Sequence, residues 1–111
     1  TQQSARVVTY LENDERCAFE VASERPPYCG VRGQGRATLD HERGGEILER
    51  LLARYLGGTD GDLARGLLAK RENEVAIVIK PVKVFTWDFS QRMQDVEAPE
   101  TVGLCPLLGD A

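Results

Sequence analysis

The sequence predicts an α+β domain built on a small antiparallel sheet or barrel with flanking helices. Three observations carry this. Apolar and polar residues alternate over Cys17–Val21 and again over Val31–Leu39, the period of a strand. Ile47–Leu56 switches to the period of an amphipathic helix. Glu74–Lys80 (EVAIVIK) is a β-branched run that is apolar on both faces. The resulting order is helix, two strands, two helices, two strands, which suits an α+β arrangement. At 111 residues the chain can bury one core, not two independent ones.

Each element has a local rationale. SARVVTYLEND reads as a short helix, with Ser4 suited to the N-cap, Val7, Val8 and Leu11 on one side, and Asn13-Asp14 ending it. CAFEV places Cys17, Phe19 and Val21 on one face of a strand, and Arg25-Pro26-Pro27 is a rigid connector. In YCGVRGQGRATL, one face carries Val31, Gly33, Gly35, Ala37 and Leu39, and the other Arg32, Gln34, Arg36 and Thr38. Glycines along one face of a strand mark a bend or the close approach of another backbone or a ligand.

The helix GGEILERLLARYLGG follows. It buries a stripe of Ile47, Leu48, Leu51, Leu52, Tyr55 and Leu56 and stops at Gly57-Gly58. Thr59 or Asp60 caps a second helix over about Gly61–Arg71, with Leu63, Leu67 and Leu68 inward. EVAIVIK is expected to be a central strand, interrupted by Pro81, and VKVFTWDF a further one. After Met93 no period is visible, so residues 94–111 are expected to form an irregular tail.

Composition narrows the function classes. The chain is 41% apolar and 29% charged, a globular balance, and carries a formal charge of −4. That charge offers no broad electrostatic attraction to nucleic acid or to an anionic membrane, so neither partner is expected. No apolar run approaches the ~20 residues of a membrane helix. Cys17, Cys29 and Cys105 are odd in number and lack Cys-x-x-Cys spacing, which points to reduced thiols and a cytoplasmic protein.

Several patterns invite chemistry. Gly30-Val31-Arg32-Gly33-Gln34-Gly35 falls inside a strand, whereas a dinucleotide fingerprint needs its glycines at a strand-to-helix turn. His41 lies in a polar turn, and Asp60-Gly61-Asp62 lacks the further ligands of a calcium loop. Ser4 and Arg6, at a helix start, suit either a cap with a solvated arginine or a phosphate cradle of hydroxyl, guanidinium and N–H groups. Phe85, Trp87 and Phe89 share a face with Lys83. They suit either plain packing or a planar ligand beside Trp87 with Arg92 as a donor.

Taken in order, SARVVTYLENDERCAFEV, PPYCGVRGQGRATL, ILERLLARYLGG and VAIVIKPVKVFTWDFSQRM resemble the pyridoxamine 5′-phosphate oxidase-like, FMN-binding split-barrel family over about Ser4–Met93. The resemblance implies an antiparallel split β-barrel with flanking helices, so that residues 1–93 form the FMN-binding domain. It also implies a homodimer with the flavin at the interface and a small-molecule substrate. Ser4-Ala5-Arg6 match the family's phosphate-contacting Ser-x-Lys/Arg, and Trp87 and Arg92 match its late Trp and Arg that approach the flavin from the partner subunit. Members carry further strands before this point, so the chain is expected to lack N-terminal strands and its barrel to be incomplete. SQRM does not reproduce the substrate motif of true pyridoxamine phosphate oxidases, and Gly30 stands about where they carry Gln. That points away from vitamin B6 oxidation. The function implied is an FMN-dependent oxidoreductase. A deazaflavin-dependent reductase and a non-catalytic flavin-binding or sequestering protein are the alternatives.

Overall fold

The computed structural model describes residues 1–93; the tail expected at 94–111 lies outside the described residues. The chain runs α1 (Arg6–Asn13), β1 (Arg16–Ala22), β2 (Cys29–Asp40), α2 (Gly44–Tyr55), α3 (Asp62–Leu68), a 3-10 turn at Arg71–Asn73 and β3 (Ala76–Asp88). The strands form a three-stranded antiparallel sheet in the order β1-β2-β3. The α+β class therefore holds, with two differences of detail. The two expected late strands are a single strand through Pro81, and that strand is an edge among the described residues rather than central. Proline has no N–H to give a ladder, and an edge is where a sheet accommodates it.

The described residues divide into two compact units. One comprises Thr1–Arg16 and Arg36–Lys80; the other comprises Cys17–Gly35 and the residues from Pro81 onward.

In the first unit, α1 starts at a backbone turn, and its N-cap is Ala5 rather than Ser4, with no side-chain cap. The turn supplies the boundary instead, since Ala5 N–H donates to Gln2 O at 3.0 Å. At the other end Asp14 is extended, and its carboxylate accepts from the Arg16 guanidinium at 2.7 Å and the Arg16 N–H at 3.1 Å. Those bonds, the side-chain ones foremost, hold the Asp14 carboxyl at about 2.

Asp40 stops β2 and organises the following turn by accepting from the N–H groups of Glu42 and Arg43, both at 3.0 Å. α2 ends as expected, with Gly57 at φ +73° and Gly58 at φ +150°, conformations that favour glycine. α3 is shorter than its pattern suggests. It begins behind Gly61, without a side-chain cap from Thr59 or Asp60, and ends at Leu68.

The core of this unit is made of small and medium side chains: Val8, Ala37, Leu52, Ala64, Val75 and Ala76. Glu74 is 6% exposed and is satisfied there by the Gln2 side-chain amide and, at 3.0 Å, by the Thr1 amino group. Of the stripes expected to face inward, Leu51, Tyr55, Leu56, Leu63 and Leu67 are exposed among the described residues. The helices bury only the parts of their stripes around Leu52 and Ala64.

In the second unit, the connector between β1 and β2 contains a cis Pro26–Pro27 bond. Ser23 ties it together: its N–H donates to Cys29 O at 3.0 Å and its hydroxyl accepts from Cys29 N–H at 3.1 Å. Cys17 is a free thiol, whereas Cys29 is fully buried and disulfide-bonded, which corrects the expectation of reduced thiols at that position.

Two outcomes test this account of the first unit. A Cβ at Gly44 runs into the carbonyl of Glu74, so Gly44→Ala should destabilise the fold by about 1–3 kcal/mol in urea unfolding despite alanine's better helix propensity. For Asp14, the folded pKa lies below the ordinary carboxylate value. Its stabilising effect is thus present above that value and fades as pH falls towards about 2. An NMR titration should place the Asp14 midpoint near 2, and Arg16→Ala should return it towards the ordinary range.

Candidate functional site

The residues singled out by sequence fall into two places, one in each unit. Ser4 and Arg6 stand together at the start of α1, Ser4 in the preceding turn and Arg6 as the first helical residue. Both are exposed, and neither has a side-chain hydrogen bond or ion pair among the described residues. The first N–H groups of a helix have no intrahelical acceptor. Of those of Arg6, Val7 and Val8, only Val8's is bonded, to Ala5 O at 3.0 Å. Hydroxyl, guanidinium and two N–H groups are left uncommitted within one turn, and the helix dipole favours an anion beside them.

The second place is a face of the sheet in the other unit. Because side chains alternate along a strand, Gly30, Arg32 and Gln34 of β2 face one way and Val31, Gly33 and Gly35 the other. On β3 the indole of Trp87 lies over Gly30, and a Cβ there would stand 2.5 Å from the ring. Trp87 is accordingly half-buried at the end of β3, with its ring on bare backbone.

Beside it lie two adjoining recesses. One, of about 440 Å³, is lined by Ala18 and Glu20 of β1, Arg32 and Gln34 of β2, and Phe85 of β3. The other, of about 400 Å³, is lined by Arg32, Phe85, Thr86, Trp87 and Phe89. Arg32 and Phe85 border both, so the recesses form one groove across the strands.

The groove is aromatic with cations around it. Lys83 Nζ lies 5.1 Å from the centroid of the Phe85 ring, and the Arg92 guanidinium 5.8 Å from that of Phe89. Arg92 thus lies over Phe89, which lines the same recess as Trp87. Arg32 forms no ion pair or side-chain hydrogen bond among the described residues, although Glu20 lines the same recess. Asp88, next to Trp87, is committed to its own turn. Its carboxylate accepts from the Ser90 hydroxyl and from Ser90 N–H at 2.8 Å, and these bonds hold it below the usual carboxylate range.

Arg32, Gln34 and Glu20 were not candidates by sequence. The polar face of β2 and the aromatic face of β3 were each visible as alternations. The register that sets Arg32 beside Phe85 and Trp87 is not encoded in either alternation alone.

The chain is similar in fold to the conserved hypothetical protein Rv2991 from Mycobacterium tuberculosis. The crystal structure of that protein matches with a TM-score of 0.59 and 22% identity over 93% of this chain. The match spans 66% of the Rv2991 chain. No protein-family model matches the chain, and no curated protein matches it.

The packing of Trp87 on Gly30 gives a direct test. With one Trp in the sequence, intrinsic emission reports this contact alone. Gly30→Ala should displace the ring, shift its emission to the red and cost about 1–3 kcal/mol in unfolding. An unchanged spectrum would mean the indole does not rest on the β2 backbone.

Proposed function

We propose that this chain is an FMN-binding oxidoreductase built on a split-barrel domain of the pyridoxamine 5′-phosphate oxidase-like type, working as a homodimer with the cofactor at the interface. The observation that carries the reading is the set of uncommitted donors at Ser4-Ala5-Arg6, at the helix start where the resemblance places the flavin phosphate. The fold similarity to Rv2991 and the aromatic groove beside Trp87 are in keeping with it.

The donor set suits a phosphate monoester. Arg6 would supply charge, the Ser4 hydroxyl a hydrogen bond, and the N–H groups of Arg6 and Val7 the rest of the cradle. Trp87 of the partner subunit, with Phe89 of the partner subunit, would offer the isoalloxazine a hydrophobic wall, and Arg92 of the partner subunit a donor for its carbonyl oxygens. Bound FMN supplies the hydride or electron transfer itself, leaving the chain to bind, orient and shield it. Exposed apolar residues on the opposite face of β3 from Phe85, with Val82 at 71% and Val84 at 49% exposure, are the surface that a second copy would cover.

Titration with FMN tests the reading. The wild-type chain should bind it, and Arg6→Ala should weaken binding by about 1.5–3 kcal/mol, the range for a hydrogen bond to a charged group. Full affinity in the variant would sink the phosphate assignment. Parallel titration with a deazaflavin coenzyme separates the two cofactors. Bleaching of the bound flavin by NADH or NADPH separates an oxidoreductase from a flavin-sequestering protein.

A further inference from the structure

We propose that the recess between Glu20, Arg32, Gln34 and Phe85 is a binding site for a planar aromatic anion, with its ring against Phe85 and its carboxylate or phosphate on Arg32. The inference stands without the flavin reading; under that reading, the ligand is the substrate class of the same groove.

Three observations on the second unit carry it. Arg32 rises from the middle strand of the sheet and borders both recesses, yet no carboxylate or carbonyl of the described residues takes up its guanidinium. Its strand neighbour Arg36, by contrast, is paired with Glu15 at 2.6 Å. Next, Phe85 forms a wall on the Arg32 side and is itself half exposed, leaving ring surface uncovered. Finally, the recess of about 440 Å³ falls within the roughly 300–1,000 Å³ of small-molecule sites.

A guanidinium fork beside an open aromatic ring suits a ligand that is flat at one end and bears an oxyanion at the other. Gln34 adds a donor and an acceptor for a ring substituent. Glu20 stands opposite Arg32 in the β1–β2 register, and its charge disfavours a ligand with more than one anionic group.

The indole N–H of Trp87, which borders the same groove, gives one resonance to follow. Titration of the wild-type chain with 2-naphthoate, 2-naphthyl phosphate and 2-naphthalenemethanol should shift it saturably with an anion. Comparison of the two anions shows whether carboxylate or phosphate is preferred. The neutral alcohol should bind at least about tenfold more weakly, the loss expected for one charge-assisted hydrogen bond. Arg32→Gln should reduce the anions to the level of the alcohol, Arg32→Lys should give an intermediate affinity because it keeps the charge without the fork, and Arg36→Gln should change nothing. Equal binding of the alcohol, or wild-type affinity in Arg32→Gln, would overturn the site. An Arg6→Ala chain that loses FMN while still binding naphthoate separates this inference from the flavin reading. FMN binding by a chain that ignores all three naphthalene probes makes this inference fail alone.

Discussion

The close approach of the β2 backbone to β3 is the constraint on which the sheet face depends. A side chain at Gly33 would run into the Lys83 carbonyl and the Phe19 ring, and one at Gly30 would run into the Trp87 indole. Glycine in a strand costs roughly 0.5–1 kcal/mol in conformational freedom. Here it is offset by letting an aromatic ring lie on bare backbone. The same contact fixes which residues of β2 face the groove, because Gly30, Arg32 and Gln34 share a side. Adding bulk at Gly30 would not merely disturb Trp87; it would take the floor from beneath the recess that Arg32 borders.

The two candidate regions have different physical characters. At the start of α1 the resource is a set of polar donors left over because the helix begins at a turn rather than at a side-chain cap. On the sheet face it is aromatic surface with guanidinium and ammonium groups at its edges. The first suits a compact, strongly hydrated anion. The second suits a flat ring whose charge is peripheral.

How much of this was legible in the sequence depended on how local the cause was. α2 and its Gly57-Gly58 stop follow from a helical period and positive φ, both local properties, and were read correctly. For the Gly33 face the pattern allowed either a bend or a close approach, and the Lys83 carbonyl and Phe19 ring supply the close approach. Ser4 as an N-cap failed because the backbone turn over Gln2–Ser4 supplies the boundary without a side chain. EVAIVIK was placed in the centre of the sheet from its two-sided apolar pattern. Strand order is a long-range property that this pattern constrains only weakly. Arg32 was missed for the same reason, because its neighbours come from two other strands. Ser4, Arg6, Trp87 and Arg92 were found as residues that can do chemistry, and their environments needed the fold.

Pro81 has a consequence for any strand that adds to the sheet. It lies inside β3, an edge among the described residues, where a long apolar strand would otherwise present an unbroken row of backbone donors and acceptors. A strand seeking to extend the sheet meets a position that has nothing to donate, and its pairing divides into two shorter runs on either side. Uniform stacking of copies, the route to fibrils, is thereby discouraged, while a partner whose own backbone bends or bulges opposite residue 81 is still accommodated. The proline thus acts as a filter on shape at this edge, favouring an irregular neighbour over a straight one.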